Sequence, residues 1–267
     1  MKESIFLRFL YNTIPGRYLL KLLVQPSVSR AAARFLSSAA SRPLIGYYLR
    51  KYKIDLTRCE KKTFNSFNDF FTRKKHIDIC PDDLSVISPC DGYLSIYQIG
   101  DDLRMQIKHS AYTVEELLES NELASGFEGG ICCVFRLEPQ HYHRYLYPVS
   151  GTIQEEKVIP GVLHCVRPVA CSRFPVYIRN SREYVLIQND ILGSVIQMEV
   201  GAMLVGRINN HHHDTSAKRG MEKGYFEYGG STIILLFRKD AVQLPPQFKD
   251  AVGTEREMPI AIGQPLF

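Results

Sequence analysis

The chain has 267 residues and a formal net charge of +5, with 45% hydrophobic, 23% charged and 11% aromatic side chains. That length and balance can bury a sizeable core, as one large domain or two small ones, and exclude wholesale disorder. Seven cysteines, at positions 59, 80, 90, 132, 133, 165 and 171, form no CxxC pair, which argues against a disulfide scaffold and for a reducing compartment.

The charge is unevenly placed. Residues 1–62 carry thirteen Lys or Arg against three acids, a local +10, which leaves −5 for residues 63–267. Such a front points to an anionic partner, either lipid headgroups or nucleic acid. IFLRFLYNTI and RYLLKLLVQ set apolar clusters among single basic residues at helical spacing, punctuated by Pro15-Gly16 and Pro26. No apolar run approaches the roughly 18 residues that a bilayer-spanning helix needs. Basic amphipathic helices of this kind lie on an anionic membrane, where each nearby Lys or Arg contributes about 1 kcal/mol, or pack on the body with a basic solvent face. Nucleic acid ranks behind, because no recognised binding module is present. VSRAAARFLSSAASR is Arg- and Ser-rich and acid-free, like a mitochondrial presequence, but it starts well inside the chain and is read as part of the mature protein, with no secretory signal expected.

Further along, TFNSFNDFFTRKK (63–75) places Phe64, Phe67, Phe70 and Phe71 on one helical face, with Asn65 or Ser66 positioned to cap. From about residue 84 the pattern shortens to strands: VISPCDGYLSIYQI, GICCVFRL, HRYLYPVSGTI, EYVLIQ, SVIQMEVGAMLVGRI and STIILLF. TVEELLES (113–120) predicts a helix opened by a capping box of Thr113 and Glu116. The expected fold is α+β, a basic helical segment over 1–62 followed by a mainly antiparallel β body over 63–267 with short inserted helices.

Several residues could carry chemistry. His76 and His109 have no motif around them and read as surface residues. HHHD at 211–214 invites a metal reading, but consecutive side chains on a strand do not converge on one ion, and Asn209-Asn210 suggests a loop; no metal site is expected. In QHYHRYLYPVSG a strand would put His141, His143, Tyr145 and Tyr147 on one face, too polar for a dry core. SPCDG places Asp91 at a turn, where an Asx-turn role is the plain reading. EYGGSTIILLF sets Gly229-Gly230 before a short apolar run, either as a turn feeding a buried strand or as backbone that lets Ser231 approach the Gly230 carbonyl. Acid, imidazole and hydroxyl are the parts that activate a weak nucleophile. The sequence alone does not show whether Asp91, His143 and Ser231 converge.

FNSFNDFFTRK, ISPCDG, YHRYLYPVSG, LHCVRPVA, VGAMLVGRI and KGYFEYGGSTIILLF stand in the order and approximate spacing of the phosphatidylserine decarboxylase family, which the chain resembles from about residue 60 to 240. The likeness is nearest to the branch that carries GGST where other members have LGST. It implies that the Ser231 hydroxyl attacks the Gly230 carbonyl and shifts the acyl group from nitrogen to oxygen. β-Elimination then leaves dehydroalanine, and hydrolysis yields a pyruvoyl group and ammonia. The implied products are a large chain, 1–230, and a small chain, 231–267, blocked by the pyruvoyl group. That covalent cofactor, derived from Ser231, would serve as the electron sink for converting phosphatidylserine to phosphatidylethanolamine and carbon dioxide. By the same resemblance, Asp91 is the acidic member of the self-cleavage relay and His143 the histidine of the decarboxylation step. The implied setting is peripheral, on the cytoplasmic side of the cell membrane, with phospholipid and not nucleic acid as partner; a homo-oligomer is compatible with it.

One position departs from the pattern. The family reads YHRxH, and its second histidine activates the serine; this chain has Leu146 there. His141, His143 or His164 would then have to serve as substitute base. The alternative expectation is a non-cleaving, catalytically silent member that binds anionic phospholipid. A metal-dependent hydrolase using HHHD, or a pyruvoyl enzyme acting on a soluble amino acid, ranks behind both.

Overall fold

The computed structural model describes residues 5–107, 110–203, 207–211, 215–228, 231–254 and 256–267. The front is helical: α1 (Ile5–Asn12), α2 (Ile14–Leu23), α3 (Pro26–Leu36) and α4 (Pro43–Tyr52), followed by the short α5 (Phe67–Phe71). Pro15, Pro26 and Pro43 fall in first helical turns, where a missing N–H breaks no intrahelical bond. Thr13 caps α2 by accepting from the Gly16 amide at 3.1 Å, and Ser66 caps α5 by accepting from the Asp69 amide at 3.1 Å. Phe64 lies outside that helix, which begins only at Phe67, yet its ring still joins Phe67, Phe70 and Phe71 in one buried cluster with Leu36.

The strands are β1 (Gly92–Gln98), β2 (Arg104–Ile107), β3 (Ser110–Thr113), β4 (Ile131–Leu137), β5 (Arg144–Leu146), β6 (Gly151–Ile159), β7 (Arg182–Asn189), β8 (Gly193–Val200), β9 (Ile208–Asn210), β10 (Ser216–Ala217), β11 (Glu222–Phe226), β12 (Ser231–Phe237) and β13 (Met258–Ile260). An antiparallel sheet runs in the order β10-β6-β7-β8-β12-β4-β1-β13, beside a small sheet β5-β11-β9 and the hairpin β2-β3. The apolar run of β12 sits between β8 and β4, with every residue buried. A continuous run without alternation suits a strand covered on both faces. The capping box forms as the sequence predicts: the Glu116 amide donates to Thr113 Oγ1 at 3.1 Å and the Thr113 amide to Glu116 Oε2 at 3.1 Å.

Two expectations change. HRYLYPVSGTI is not one strand; it divides into β5 and β6, and His141 and His143 precede β5 in an irregular segment. The common face expected for His141, His143, Tyr145 and Tyr147 is therefore not formed: His143, Tyr145 and Tyr147 are buried and His141 is half-buried. SVIQMEVGAMLVGRI likewise contains β8 and only the start of β9, with residues 204–206 outside the described set.

The front packs on the body. Leu10, Tyr11, Leu20 and Val24 belong to the main hydrophobic core, and the Leu163 amide donates to the Val24 carbonyl at 2.9 Å. Among the described residues no helix is long and apolar enough to cross a membrane, and all seven cysteines are free thiols.

Candidate active site

Three adjacent strands bring the acid and the hydroxyl to one end of the large sheet. Ser231, the first residue of β12, is paired with Leu137, the last of β4. On the other side of β4, Tyr93 of β1 is paired with Arg136, so the register carries Gly92 opposite Leu137. The approach at Gly92 is close: a Cβ there would lie 2.9 Å from the Arg136 carbonyl oxygen, which explains a glycine at this point. Asp91 comes immediately before it. With strands about 4.8 Å apart, the starts of β1 and β12 lie roughly 10 Å apart across β4.

Asp91 is held by three donors. Its Oδ1 accepts from the Ile262 amide at 2.9 Å, and its Oδ2 accepts from the Tyr142 amide at 3.3 Å and from Lys75 Nζ at 2.7 Å. Asp91 therefore does more than cap its own turn: it ties the 138–143 segment and the C-terminal strand region to β1.

His143 enters from the position just before β5. Its carbonyl accepts from the Phe226 amide of β11 at 2.9 Å, and β11 leads through Tyr228 towards Ser231. The imidazole is fully buried and packs on Phe71, with ring centroids 3.9 Å apart. Phe71 also meets Tyr228 edge-on at 5.1 Å, and Tyr228 shares a 2.6 Å hydrogen bond with Tyr48. This aromatic wall links His143 through Phe71 to Tyr228. His143 Nδ1 lies 2.9 Å from the His141 carbonyl, so Nδ1 carries the hydrogen and Nε2 keeps its lone pair. Burial first, then the charge of Arg73, pushes this imidazole well below its ordinary pKa. It is a neutral base.

Among the described residues, two buried polar atoms here have no hydrogen-bond partner: His143 Nε2 and Ser231 Oγ. No hydrogen bond joins them to each other or to Asp91. Buried orphans of this kind ask for a reason, and a catalytic role is one. Gly229 and Gly230 lie outside the described residues.

The other histidines differ. The Glu138 amide donates to His141 Nδ1 at 2.9 Å, so the one lone pair of that ring is already committed. Burial lowers the His141 pKa, with Asp91 opposing. His164 stacks on Phe174 with centroids 4.6 Å apart and faces Tyr11, whose hydroxyl is 3.4 Å from Nδ1; burial and Arg179 push it down to about 4. No hydrogen bond connects it with Asp91, His143 or Ser231. His76 is exposed, and His109 lies outside the described residues. Of the HHHD run only His211 is described, with Nε2 2.8 Å from Glu222 Oε1; His212, His213 and Asp214 lie outside the described set.

Leu146 stands where the resemblance leads one to expect the second YHRxH histidine. It is almost fully buried against Ile87, Tyr142 and Ile262, and the backbone amides of the last two are those that hold Asp91. The side chain at 146 thus belongs to the shell around the carboxylate. Sequence reasoning missed Lys75, which lies in a run of basic residues with nothing local to mark it, and it missed the Phe71–Tyr228 wall.

The chemistry of a self-generated pyruvoyl group fits these residues: a buried, unbonded hydroxyl on Ser231 and a neutral imidazole at the same end of the sheet. A family model described as phosphatidylserine decarboxylase matches residues 67–266. The chain is 42% identical over 264 residues to the phosphatidylserine decarboxylase proenzyme 2 of Clostridium acetobutylicum, covering 97% of this chain and 90% of the relative. It is 39% identical over 247 residues to the proenzyme of Ruminiclostridium cellulolyticum, covering 89% and 82%, and 33% identical over 270 residues to that of Clostridium perfringens, covering 98% and 92%. A matched family over most of the chain, on a fold that gathers the acid, imidazole and hydroxyl at one sheet end, means that this protein belongs to the phosphatidylserine decarboxylase family.

Proposed function

We propose that the protein is a carboxy-lyase that cleaves itself between Gly230 and Ser231 and then decarboxylates phosphatidylserine to phosphatidylethanolamine. The observation that carries the self-cleavage is the buried Ser231 hydroxyl, without a partner among the described residues, at the end of a central strand. In cleavage, Oγ bonds to the Gly230 carbonyl carbon, the C–N bond breaks and the nitrogen takes a proton. Elimination removes the Ser231 Cα proton and breaks the Cβ–Oγ bond, which leaves residues 1–230 with a carboxylate. Water then replaces the freed amine, and ammonia departs.

The pyruvoyl group so formed supplies an electron sink next to its attached chain. The chain's own residues do the rest. His143 offers a buried lone pair at Nε2, fixed by its Nδ1 bond to the His141 carbonyl, and is suited to take a proton from Ser231 in maturation and to hold the proton that returns to carbon in turnover. Among the three candidate substitutes for the absent second histidine, His143 is favoured because the free lone pair of His141 is engaged by Glu138 and His164 is bonded on the side of α1. Phe71 and Tyr228 exclude water from the imidazole. Asp91 anchors the segment that carries it.

Residues 63–267 act as the catalytic body and residues 1–62 as a front for an anionic phospholipid surface, which would place the protein peripherally on the cytoplasmic side of the cell membrane. Ile5, Ile14 and Leu22 on α1 and α2 are 85%, 65% and 64% exposed, amid Arg8, Arg17 and Lys21. Apolar side chains left in solvent on basic helices support docking at a headgroup layer. The test is incubation with phosphatidylserine vesicles: wild type should release carbon dioxide and form phosphatidylethanolamine, and Ser231→Ala should do neither. Vesicles bound without turnover by both would favour the silent relative.

A further inference from the structure

We propose that Lys75 is a positioning residue for His143, acting through Asp91 and Tyr142. This rests on the reading of His143 as the base for Ser231. Among the described residues, Lys75 is the one side chain bonded to the Asp91 carboxylate, at 2.7 Å, with side-chain exposures of 24% and 18%. The same lysine also grips Tyr142: its backbone amide donates to the Tyr142 hydroxyl at 3.4 Å, and its ammonium lies 4.7 Å from the centre of that ring. Asp91 in turn accepts from the backbone amide of Tyr142, the residue directly before His143. Lysine, aspartate and tyrosine thus close around the short segment that aims the imidazole.

The lysine itself is held. Its backbone forms a bridge with Cys59, flanked by the Glu60 amide on the Lys74 carbonyl at 3.0 Å and the His76 amide on the Arg58 carbonyl at 2.9 Å. Across the carboxylate, Leu146 presents only methyl groups to the shell made by Tyr142 and Ile262. A partly buried carboxylate beside an apolar side chain is fixed most firmly by a charged donor bonded to it. Leu146 cannot supply one and Lys75 does. Its contact is with Asp91 and not with Ser231, so its effect on the reaction is through geometry.

The experiment compares Lys75→Met and Lys75→Arg in two readouts. For self-cleavage of the full chain, Lys75→Met should slow conversion roughly 10²-fold, the usual cost of a small misplacement of a reacting group. Lys75→Arg, which keeps charge and donors, should retain most of the rate. The second readout uses the uncleaved Ser231→Ala chain with labelled histidine: Lys75→Met should shift and broaden the His143 resonances and leave those of exposed His76 in place. A Lys75→Met chain that matures at the wild-type rate overturns the proposal, as does an unmoved His143 signal. A Lys75→Arg chain as slow as Lys75→Met also overturns it, because charge and donors at this position would then not be what positions His143. Failure of wild type to cleave, with the His143 signal still dependent on Lys75, would sink the self-cleavage reading and leave the clamp standing.

Discussion

Leu146 donates its backbone amide to the Pro89 carbonyl at 2.9 Å, which fixes position 146 against the turn that carries Asp91. A histidine substituted there would enter the cluster of Ile87, Tyr142 and Ile262 with Asp91 within its shell. Burying an imidazole in place of leucine costs about 1–3 kcal/mol unless it finds a hydrogen bond. Leu146→His should nevertheless speed self-cleavage, since a positioned general base contributes about 10²–10⁴-fold. The rate of precursor conversion on a denaturing gel checks this, and an unchanged rate would count against Leu146 as the slow point.

A buried ion pair joins the small sheet to the large one. Lys223 bonds Glu199, with their side chains 1% and 0% exposed, and Lys223 Nζ also donates to Asn210 Oδ1 at 3.0 Å. Burial raises the Glu199 pKa and Lys223 opposes that shift. Lys223→Met would strand a buried acid and should destabilise the fold by about 3–5 kcal/mol, whereas replacing both partners by methionine should recover most of the loss. Denaturant unfolding of the Ser231→Ala chain measures both.

His164 sets an acid limit. Its folded pKa is about 4, against the ordinary 6.5, so between these values the unfolded chain binds the proton and the folded one does not. Stability from this residue is complete above about pH 6.5 and falls as the pH drops towards 4, by at most about 3 kcal/mol. His164→Phe, which keeps a ring against Phe174, should flatten that part of the stability–pH curve. A parallel curve for the two proteins would contradict the assignment.

The front should govern vesicle binding. Leu22→Asp, at a 64% exposed site on α2, should weaken sedimentation with anionic vesicles by about tenfold, the value of one apolar side chain, while the melting temperature stays unchanged. Added salt should weaken wild-type binding as it screens the basic residues.

What the sequence made legible was local. The capping box at Thr113, the cap at Ser66, the Phe cluster and the run of β12 each depend on neighbours a few residues apart, and each formed. The site is not local. Asp91 and Ser231 share a sheet end because β4 lies between β1 and β12, an order that strand patterns do not encode. The segment holding His141 and His143 follows an alternating pattern, but Asp91 captures the Tyr142 amide and Glu138 captures the His141 ring, and these bonds pull it out of a strand. Lys75 and Lys223 carry no local signal because their acidic partners, Asp91 and Glu199, stand in other elements of the chain.

The most direct measurement is the intact mass of the purified protein under denaturing conditions. The account predicts two chains, residues 1–230 and residues 231–267, the smaller lighter than its serine form by the mass of ammonia and resistant to N-terminal sequencing. A single 30.5 kDa chain with unmodified Ser231, in a preparation that decarboxylates phosphatidylserine, would contradict it.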